Sequence, residues 1–311
     1  MIAILGAGGS VANELVRKLA ARGERYRLVS RSGKADAGAA EVVKADLLDR
    51  EQTAAAVAGA QTVILLAGLR YDHTVWAEQW PRIMENAIEG CKRAGARLLF
   101  FDNVYMYGRV HGAMTEETPY RPVSRKGEVR ALIARRIEEE WKAGSLQALI
   151  ARAADFYGPG AKTGIPNVMV FEPLSQGKRP MCLVSEVLPH SYTYVPDAAE
   201  ALARLAAGDA AQDAVWNQTW HLPTRAPALT GREFIERAEE AMGRKAKTQV
   251  LSRPMVRVVG WFNPLVREVY EMLYQNDAPY LFDSSKYERA FGVETTPYAE
   301  GIRATAASYG A

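Results

Sequence analysis

Two cysteines and four histidines are all that 311 residues offer for thiol or imidazole chemistry. Cys91 falls on the apolar face of a helical pattern, which makes it a buried thiol rather than half of a disulfide with Cys182. His73, His111, His190 and His221 are isolated in the sequence, so there is no clustered ligand set of the kind that holds zinc, and no metal is expected. No apolar run reaches the length of a membrane span. Nor is there a marked excess of one charge: 39 Lys and Arg stand against 36 Asp and Glu, a net +3. That is far from a nucleic-acid footprint, although it suits anionic small molecules. Neither a nucleic-acid nor a membrane partner is therefore expected. The first strand pattern begins at residue 2, leaving no room for a signal peptide, so a cytoplasmic location is the expectation. Internal repeats and low-complexity segments are lacking.

What is present suffices for a full core, with 48% hydrophobic and 24% charged residues. An apolar run, Met1 to Leu5, enters Gly6-Ala7-Gly8-Gly9-Ser10-Val11-Ala12, after which Val11, Leu15, Val16 and Leu19 repeat at helical spacing. Strand, glycine turn and helix form a unit in which the backbone can approach a pyrophosphate and the helix N-terminus faces its charge. Gly6 and Gly9 take the first two glycine roles and Ala12 the third; a tight turn packed on a sheet is the bland alternative. Further strands are predicted at Tyr26–Ser30, Glu41–Lys44, Thr62–Leu66, Arg97–Phe101 and Leu146–Ala151. Trp76, Trp80, Ile83, Met84, Ala87, Ile88 and Cys91 mark one face of a helix of about five turns. Alternation of strand and helix implies an α/β, Rossmann-type doubly wound parallel sheet. Residues 1–151 would form the dinucleotide-binding domain, with segments near 190–222 rejoining it. Residues 152–311 would mainly form a smaller C-terminal substrate lobe.

Several short motifs follow in order. They are the glycine turn, Ala45-Asp46-Leu47, Leu66-Ala67-Gly68, Asn86, Tyr107-Gly108 and Glu116-Glu117-Thr118-Pro119. Beyond them come Arg152 with Tyr157-Gly158-Pro159-Gly160, Tyr192-Thr193-Tyr194-Val195-Pro196-Asp197, and Phe282-Asp283-Ser284-Ser285-Lys286. On these residues the chain resembles an extended short-chain dehydrogenase/reductase of the NAD-dependent epimerase/dehydratase type. The resemblance implies a nicotinamide dinucleotide held by Gly6, Gly8, Gly9, Ser10 and Val11. It also implies that Asp46 accepts from the adenine amino group, with Leu47 beside the ring, and that Ala67 and Gly68 lie near the nicotinamide ribose. An alternative role for Asp46 is to cap the helix that starts near Asp49. Ser30-Arg31-Ser32, followed by Lys34, stands where an NAD-selective site usually places a carboxylate. A guanidinium there can grip a 2′-phosphate, so NADP(H) is favoured over NAD(H), unless Arg31 is only a solvated loop residue.

The catalytic positions depart from the family. Its members pair a Tyr with a Lys four residues later, which places both on one helix face. Here Lys126 stands where Tyr is expected, Arg130 where Lys is expected and Asn103 where Ser is expected. Arg130 can hold a ribose or phosphate but cannot shed its proton, and Asn103 can orient a carbonyl or hydroxyl. An ammonium near Arg130 and a nicotinamide ring would have its pKa lowered, making Lys126 an acid or base; it could equally clamp an anionic substrate. Otherwise Lys126 and Arg130 lie on the solvated face of helix 125–143, whose apolar stripe would be Val129, Leu132, Ile133, Ile137 and Trp141. Tyr105 lies just beyond the fifth strand and is a candidate on location alone. Tyr107 is expected to pack beneath the site.

After residue 150 the chain becomes rich in Pro and Gly, as the wall of a pocket would be. Thr230-Gly231-Arg232-Glu233 is a capping box. A greasy, aromatic stretch from Met255 to Leu273 should be divided by Pro264 and would be core, a lid over an apolar substrate, or a dimer surface. By resemblance, helices 75–94 and 125–143 would form a homodimer, to which Trp76, Trp80 and Trp141 contribute unless they face their own sheet. Three functions stay open. The favoured one is an NAD(P)-dependent oxidoreductase or epimerase/dehydratase-like enzyme acting on a small-molecule carbonyl or carbinol through an altered site. The others are a nucleotide-sugar epimerase or dehydratase and a non-catalytic sensor of NADP(H).

Overall fold

In the computed structural model, which describes residues 1–33, 41–207 and 214–310, four successive apolar residues form an inner strand, β1 (Ile2–Leu5), buried on both faces. Chain direction then alternates through α1 (Ser10–Ala21), β2 (Tyr26–Ser30), β3 (Glu41–Lys44), α2 (Arg50–Val57) and β4 (Thr62–Leu65). It continues through α3 (His73–Ala94), β5 (Arg97–Asp102), β6 (Ala113–Met114), α4 (Arg125–Lys142) and β7 (Ala148–Arg152). Several helices begin where a side chain supplies the acceptor that the first amides lack. Asp72 accepts from the Thr74 and Val75 amides to start α3, and Ser124 accepts from the Gly127 amide to start α4.

The second half of the chain begins with β8 (Asp155–Tyr157), α5 (Glu172–Ser175), β9 (Met181–Leu183), β10 (Pro189–His190), β11 (Tyr192–Tyr194) and α6 (Val195–Ala207). It then returns to the main sheet with β12 (Gln218–His221), which pairs with β7. The sheet has seven strands in the order β12-β7-β5-β4-β1-β2-β3, all parallel. Because strand side chains alternate, Ile2 and Ile4 pack against α1 and α6 on one face, while Ala3 and Leu5 pack against α2, α3 and α4 on the other. Order reverses between β1 and β4, which opens the crevice where ligands bind in such sheets.

The remaining elements, β13 (Leu229–Thr230), α7 (Gly231–Ala241), β14 (Gln249–Leu251), α8 (Arg253–Phe262), α9 (Pro264–Tyr270), β15 (Leu281–Phe282), α10 (Ser285–Phe291) and α11 (Tyr298–Ala307), mostly surround a separate core. Short ladders β11–β8, β14–β9, β10–β13 and β15–β6 build this lobe, and Phe171, Phe234, Tyr157 and Tyr298 fill it. The Thr230 capping box forms at the start of α7. Pro264 divides the greasy stretch into two helices, consistent with its missing N–H.

Two sequence expectations need correction. Leu132 is 55% exposed and does not belong to the apolar stripe of α4, whose buried side is Val129, Ile133 and Ile137 with Lys126 and Arg130. Trp76 and Trp80 lie inside the chain against Phe100 and the sheet, so they are not available to a dimer surface.

The crevice depends on Gly6, whose φ is +98° and whose added Cβ would come 2.5 Å from Ala67 Cα. Gly6→Ala therefore forces the ends of β1 and β4 apart, and urea unfolding should show a loss on the order of 3 kcal/mol. An unchanged midpoint would refute the close approach.

Candidate active site

Four chain segments line the crevice. The glycine turn leads into α1 with no side-chain cap on Gly9, so the first amides of the helix lack intrahelical acceptors. Gly8 and Gly9 are exposed, and a Cβ on either would meet nothing within 4 Å, which leaves the Ser10 and Val11 end of the helix open to an anion. At the end of β2, Ser30 is half-buried while Arg31 and Ser32 are exposed; Lys34 lies outside the described residues. After β3, Asp46 is exposed and its Oδ1 accepts from the Leu48 amide at 3.0 Å. It does not cap α2, because Asp49 does so by accepting from the Gln52 amide at 2.9 Å. Buried Asn86 donates to the Leu47 carbonyl at 2.8 Å, so α3 fixes the loop beneath it. Half-buried Ala67 and exposed Gly68 complete the rim after β4. Close backbone approach, open amides and an exposed guanidinium together fit a dinucleotide.

Beyond the crevice, Lys126 is fully buried. Its ammonium donates to Glu268 Oε2 at 2.7 Å and to the Glu268 carbonyl at 3.0 Å, and it lies 2.5 Å from Glu271 Oε1. The Tyr71 ring covers it, 4.5 Å from Nζ to centroid. His73 supports the same carboxylate: its amide donates to Glu268 Oε2 at 2.9 Å and its Nδ1 is 2.8 Å from Oε1. Arg125 approaches His73 Nε2 at 2.7 Å, and a guanidinium only donates, so Nδ1 carries the imidazole proton. Burial opposes ionisation of Glu268, but hydrogen bonds from Lys126 and His73 outweigh it and hold the carboxyl below its ordinary value. Lys126 is thus neither on a solvated face nor facing a neighbouring cation; its partners are carboxylates from α9 and the residue just after it.

Arg130, one turn along α4, takes different partners. It donates to Asp102 Oδ1 at 3.1 Å and lies over the Trp80 and Trp76 rings at 4.1 and 4.6 Å. Asp102, at the end of β5, also has Arg152 Nε 3.7 Å from its second oxygen. Arg152 donates to the Tyr107 hydroxyl at 2.7 Å, and that hydroxyl is 2.8 Å from His221 Nε2. His221 Nδ1 in turn faces the Asp283 carbonyl at 2.9 Å, which makes Nε2 the acceptor from Tyr107. Burial and the nearby Arg152 push the His221 pKa down to about 3, so the imidazole is neutral. Tyr107 is fully enclosed in this network.

Asn103 Oδ1 accepts from the Tyr105 amide at 3.1 Å, holding the single helical turn Tyr105–Tyr107. Tyr105 stacks on Trp76, with centroids 6.2 Å apart and planes 13° apart, and its hydroxyl is 3.4 Å from that of Tyr71. Burial pushes its phenol up to about 12. Tyr71 thus bridges Tyr105 and Lys126, and Trp76 bridges Tyr105 and Arg130, so all four candidate positions fall in one cluster.

Sequence reasoning missed Asp102, Tyr71, Glu268 and Glu271. Glu268 carried a signal, being the only acid between residues 252 and 270 in an otherwise greasy, basic stretch. A carboxylate in such a stretch is costly unless a buried cation meets it. A second missed pair is Asp155 and His190, 2.9 Å apart, with His190 stacked on Tyr280 at 4.2 Å. The hollow beside His190 holds only about 10 Å³. A larger one, about 380 Å³, lies at the edge strand among Glu116, Glu138, Trp141, Thr219 and Lys286, with no residue of the glycine turn. Asp72, His73 and Glu268 come close enough to share an ion, but Arg125 and Lys126 already donate to two of the three.

The sequence model of the NAD-dependent epimerase/dehydratase family matches residues 2–217, from β1 through the glycine turn to the start of β12. The chain belongs to that family. Among curated proteins, this family member is 27% identical over 175 residues to an uncharacterized protein of Sinorhizobium fredii, covering 53% of this chain and 47% of the relative. It is 23% identical over 312 residues to 3beta-hydroxysteroid-dehydrogenase/decarboxylase isoform 2 of Arabidopsis thaliana, covering 88% and 52%. The chain spans about half the length of these curated relatives. Among solved structures, it superposes on UDP-glucose 4-epimerase of Thermus thermophilus in complex with NAD, with a TM-score of 0.77, 20% identity and coverage of 99% and 98%. It also superposes on dTDP-glucose 4,6-dehydratase of Bacillus anthracis in complex with NAD, with a TM-score of 0.79, 15% identity and coverage of 99% and 96%. At these identities the likeness establishes the fold.

Lys126 keeps Glu271 when Glu268 is neutralised, so Glu268→Gln should cost less than a wholly unpaired buried charge, about 1–3 kcal/mol in chemical denaturation at neutral pH. Because the folded Glu268 carboxyl is held below its ordinary 4.5, its contribution is complete above that pH and lost as pH falls through the depressed value. The variant's stability should therefore approach that of the wild type in acid; a constant gap between them down to acid unfolding would contradict the pairing.

Proposed function

We propose that the protein binds NADP(H) in the crevice between β1 and β4 and signals its occupancy, without performing the proton transfer of its family. The observation that carries this reading is the buried pair of Lys126 and Glu268 at 2.7 Å. The position that family resemblance assigns to the proton-transferring Tyr is filled by an ammonium closed off by two carboxylates. The position assigned to the ribose-binding Lys is filled by a guanidinium turned toward Asp102 and Trp80. A nicotinamide cofactor supplies a hydride donor or acceptor when bound; these two side chains supply no proton to accompany it. Gly6, Gly8, Gly9, Ser10 and Val11 would hold the pyrophosphate, and Arg31 with Ser30 and Ser32 would meet the 2′-phosphate. Asp46 and Leu47 would flank the adenine, and Ala67 and Gly68 the nicotinamide ribose.

Calorimetric titration tests the binding half of the reading. NADPH should bind more tightly than NADH, and Arg31→Ala should weaken NADPH by about tenfold or more while leaving NADH nearly unchanged, since a charge-assisted bond to phosphate contributes about 1.5–3 kcal/mol. No binding of either nucleotide would end it.

A second reading is an oxidoreductase in which Tyr105 delivers the proton to a carbonyl. Its support is the Tyr105 and Tyr71 hydroxyl pair just beyond β5, where the Asp155 carboxylate is close enough to act on the Tyr105 phenol. Under this reading Tyr105→Phe abolishes NADPH oxidation by small ketones and aldehydes, by about 10²-fold or more, without altering NADPH affinity. Absence of turnover in the wild type across such a panel favours the sensor.

A further inference from the structure

The hairpin of α8 and α9 is built to hold apolar side chains in solvent. Gly260 lets the helices cross closely: a Cβ there would lie 3.1 Å from Arg267 Cα. Asn263 caps α9 through the Leu265 and Val266 amides at 3.0 and 3.3 Å, and Pro264 fixes its first residue. The inner face, Val256, Val266, Val269 and Tyr270, packs on Leu273, Met169 and Leu183. The outer face has no such cover. Trp261 is 69% and Phe262 85% exposed, and Met255, Val258, Val259 and Leu265 are exposed beside them. These six make up more than half of the eleven exposed large hydrophobic residues among the described residues. Ordinary core, one of the roles considered from sequence, accounts for the inner face only.

Charge distinguishes among the remaining occupants. Arg257 and Arg267 are exposed on the same hairpin, Arg253 is half-buried against Asp277, and no acidic residue occurs from 252 through 267. A second copy docking by the same face would bring arginine against arginine with no carboxylate to answer it, since a twofold contact meets its own patch. A lid over the cleft would need the aromatic tip turned inward, and it points out. A protruding tip of Trp, Phe and Leu flanked by arginines matches an anionic lipid interface, where the aromatic rings sit at headgroup depth and the guanidinium groups meet phosphates.

We propose that the α8–α9 hairpin docks the protein peripherally on anionic membranes, with Trp261, Phe262 and Leu265 inserted and Arg257 and Arg267 contacting lipid phosphate. The expectation of no membrane partner rested on the lack of a spanning run, and a helix lying in the interface needs none. This docking is independent of whether the cofactor crevice serves a sensor or an enzyme.

The test is co-sedimentation of the full chain with vesicles of phosphatidylcholine alone and of phosphatidylcholine mixed with phosphatidylglycerol. Binding to the mixed vesicles is expected, and it should weaken as salt is raised. Trp261→Ser with Phe262→Ser should abolish it. Arg257→Ser with Arg267→Ser should weaken it by about thirtyfold, two basic residues' share near an anionic surface. All four side chains are exposed, so both double variants should keep the wild-type melting temperature, which is measured alongside. No binding by the wild type, or binding undiminished in the Trp261/Phe262 variant, overturns the proposal. So does light scattering that finds a wild-type dimer which that variant converts to a monomer, because the face is then a contact between copies.

Discussion

A buried ammonium cannot stand without counter-charge, and Lys126 imposes that requirement on the whole C-terminal half of the chain. Its nearest carboxylates, Glu268 and Glu271, come from a segment more than 140 residues away, so α9 must lie against the start of α4 for the pair to form. Once α9 is placed there, α8 must fold back over it within a turn, which Gly260, Asn263 and Pro264 permit. The same constraint decides which face of the hairpin turns inward. Val266, Val269 and Tyr270 follow Glu268 toward the body of the protein, and the opposite side, with Leu265 and the end of α8, is left in water. An electrostatic demand at one lysine thus determines where an apolar surface appears.

A second charge network binds the lobes at a different level. Asp102 ends β5 between two guanidinium groups, Arg130 from α4 and Arg152 from β7. From Arg152 the chain of donors runs through Tyr107 and His221 to the Asp283 carbonyl at the start of α10. Arg152, Tyr107 and His221 are buried, Asp283 is half-buried, and Tyr107 and His221 each have one orientation that satisfies both neighbours. Buried polar groups linked in this way are costly to separate, so the network specifies one arrangement of sheet edge and second lobe. His221 illustrates the point: charged, it would face Arg152 in a dry interior, and its depressed pKa keeps it an acceptor.

The nucleotide-binding half was legible because its signals are local. β2 and β3 have the bounds that their β-branched and apolar runs suggest, and α3 follows the spacing of Trp76, Trp80, Ile83 and Ala87. The glycine turn needs only a strand before it and a helix after it to be recognised. The capping box at Thr230 is likewise a property of four adjacent residues. What could not be seen was any partner supplied from a distance. The charge of Lys126 is visible in the sequence, but whether it meets water, another cation or Glu268 depends on the path of the chain over a separation of 142 residues. Leu132 was misplaced for a related reason. With Lys126 and Arg130 turned inward, α4 buries a face that contains two cations, and a hydrophobic count alone rotates the helix away from its true orientation.

That orientation of α4 also decides where its two buried cations reach. Residues 126 and 130 are one turn apart on α4, and both remain buried, charged and hydrogen-bonded, as polar groups at such positions must be. Their long side chains reach different surroundings: Lys126 extends toward α9, while Arg130 lies back over Trp76 and Trp80 toward Asp102. Once each has found a fixed partner, exchanging that partner for a bound molecule would expose an unpaired charge in the interior. The start of α4 is therefore a rigid joint between the sheet and α9. The crevice at Gly6, which depends on backbone geometry rather than on side-chain charge, is untouched by the exchange.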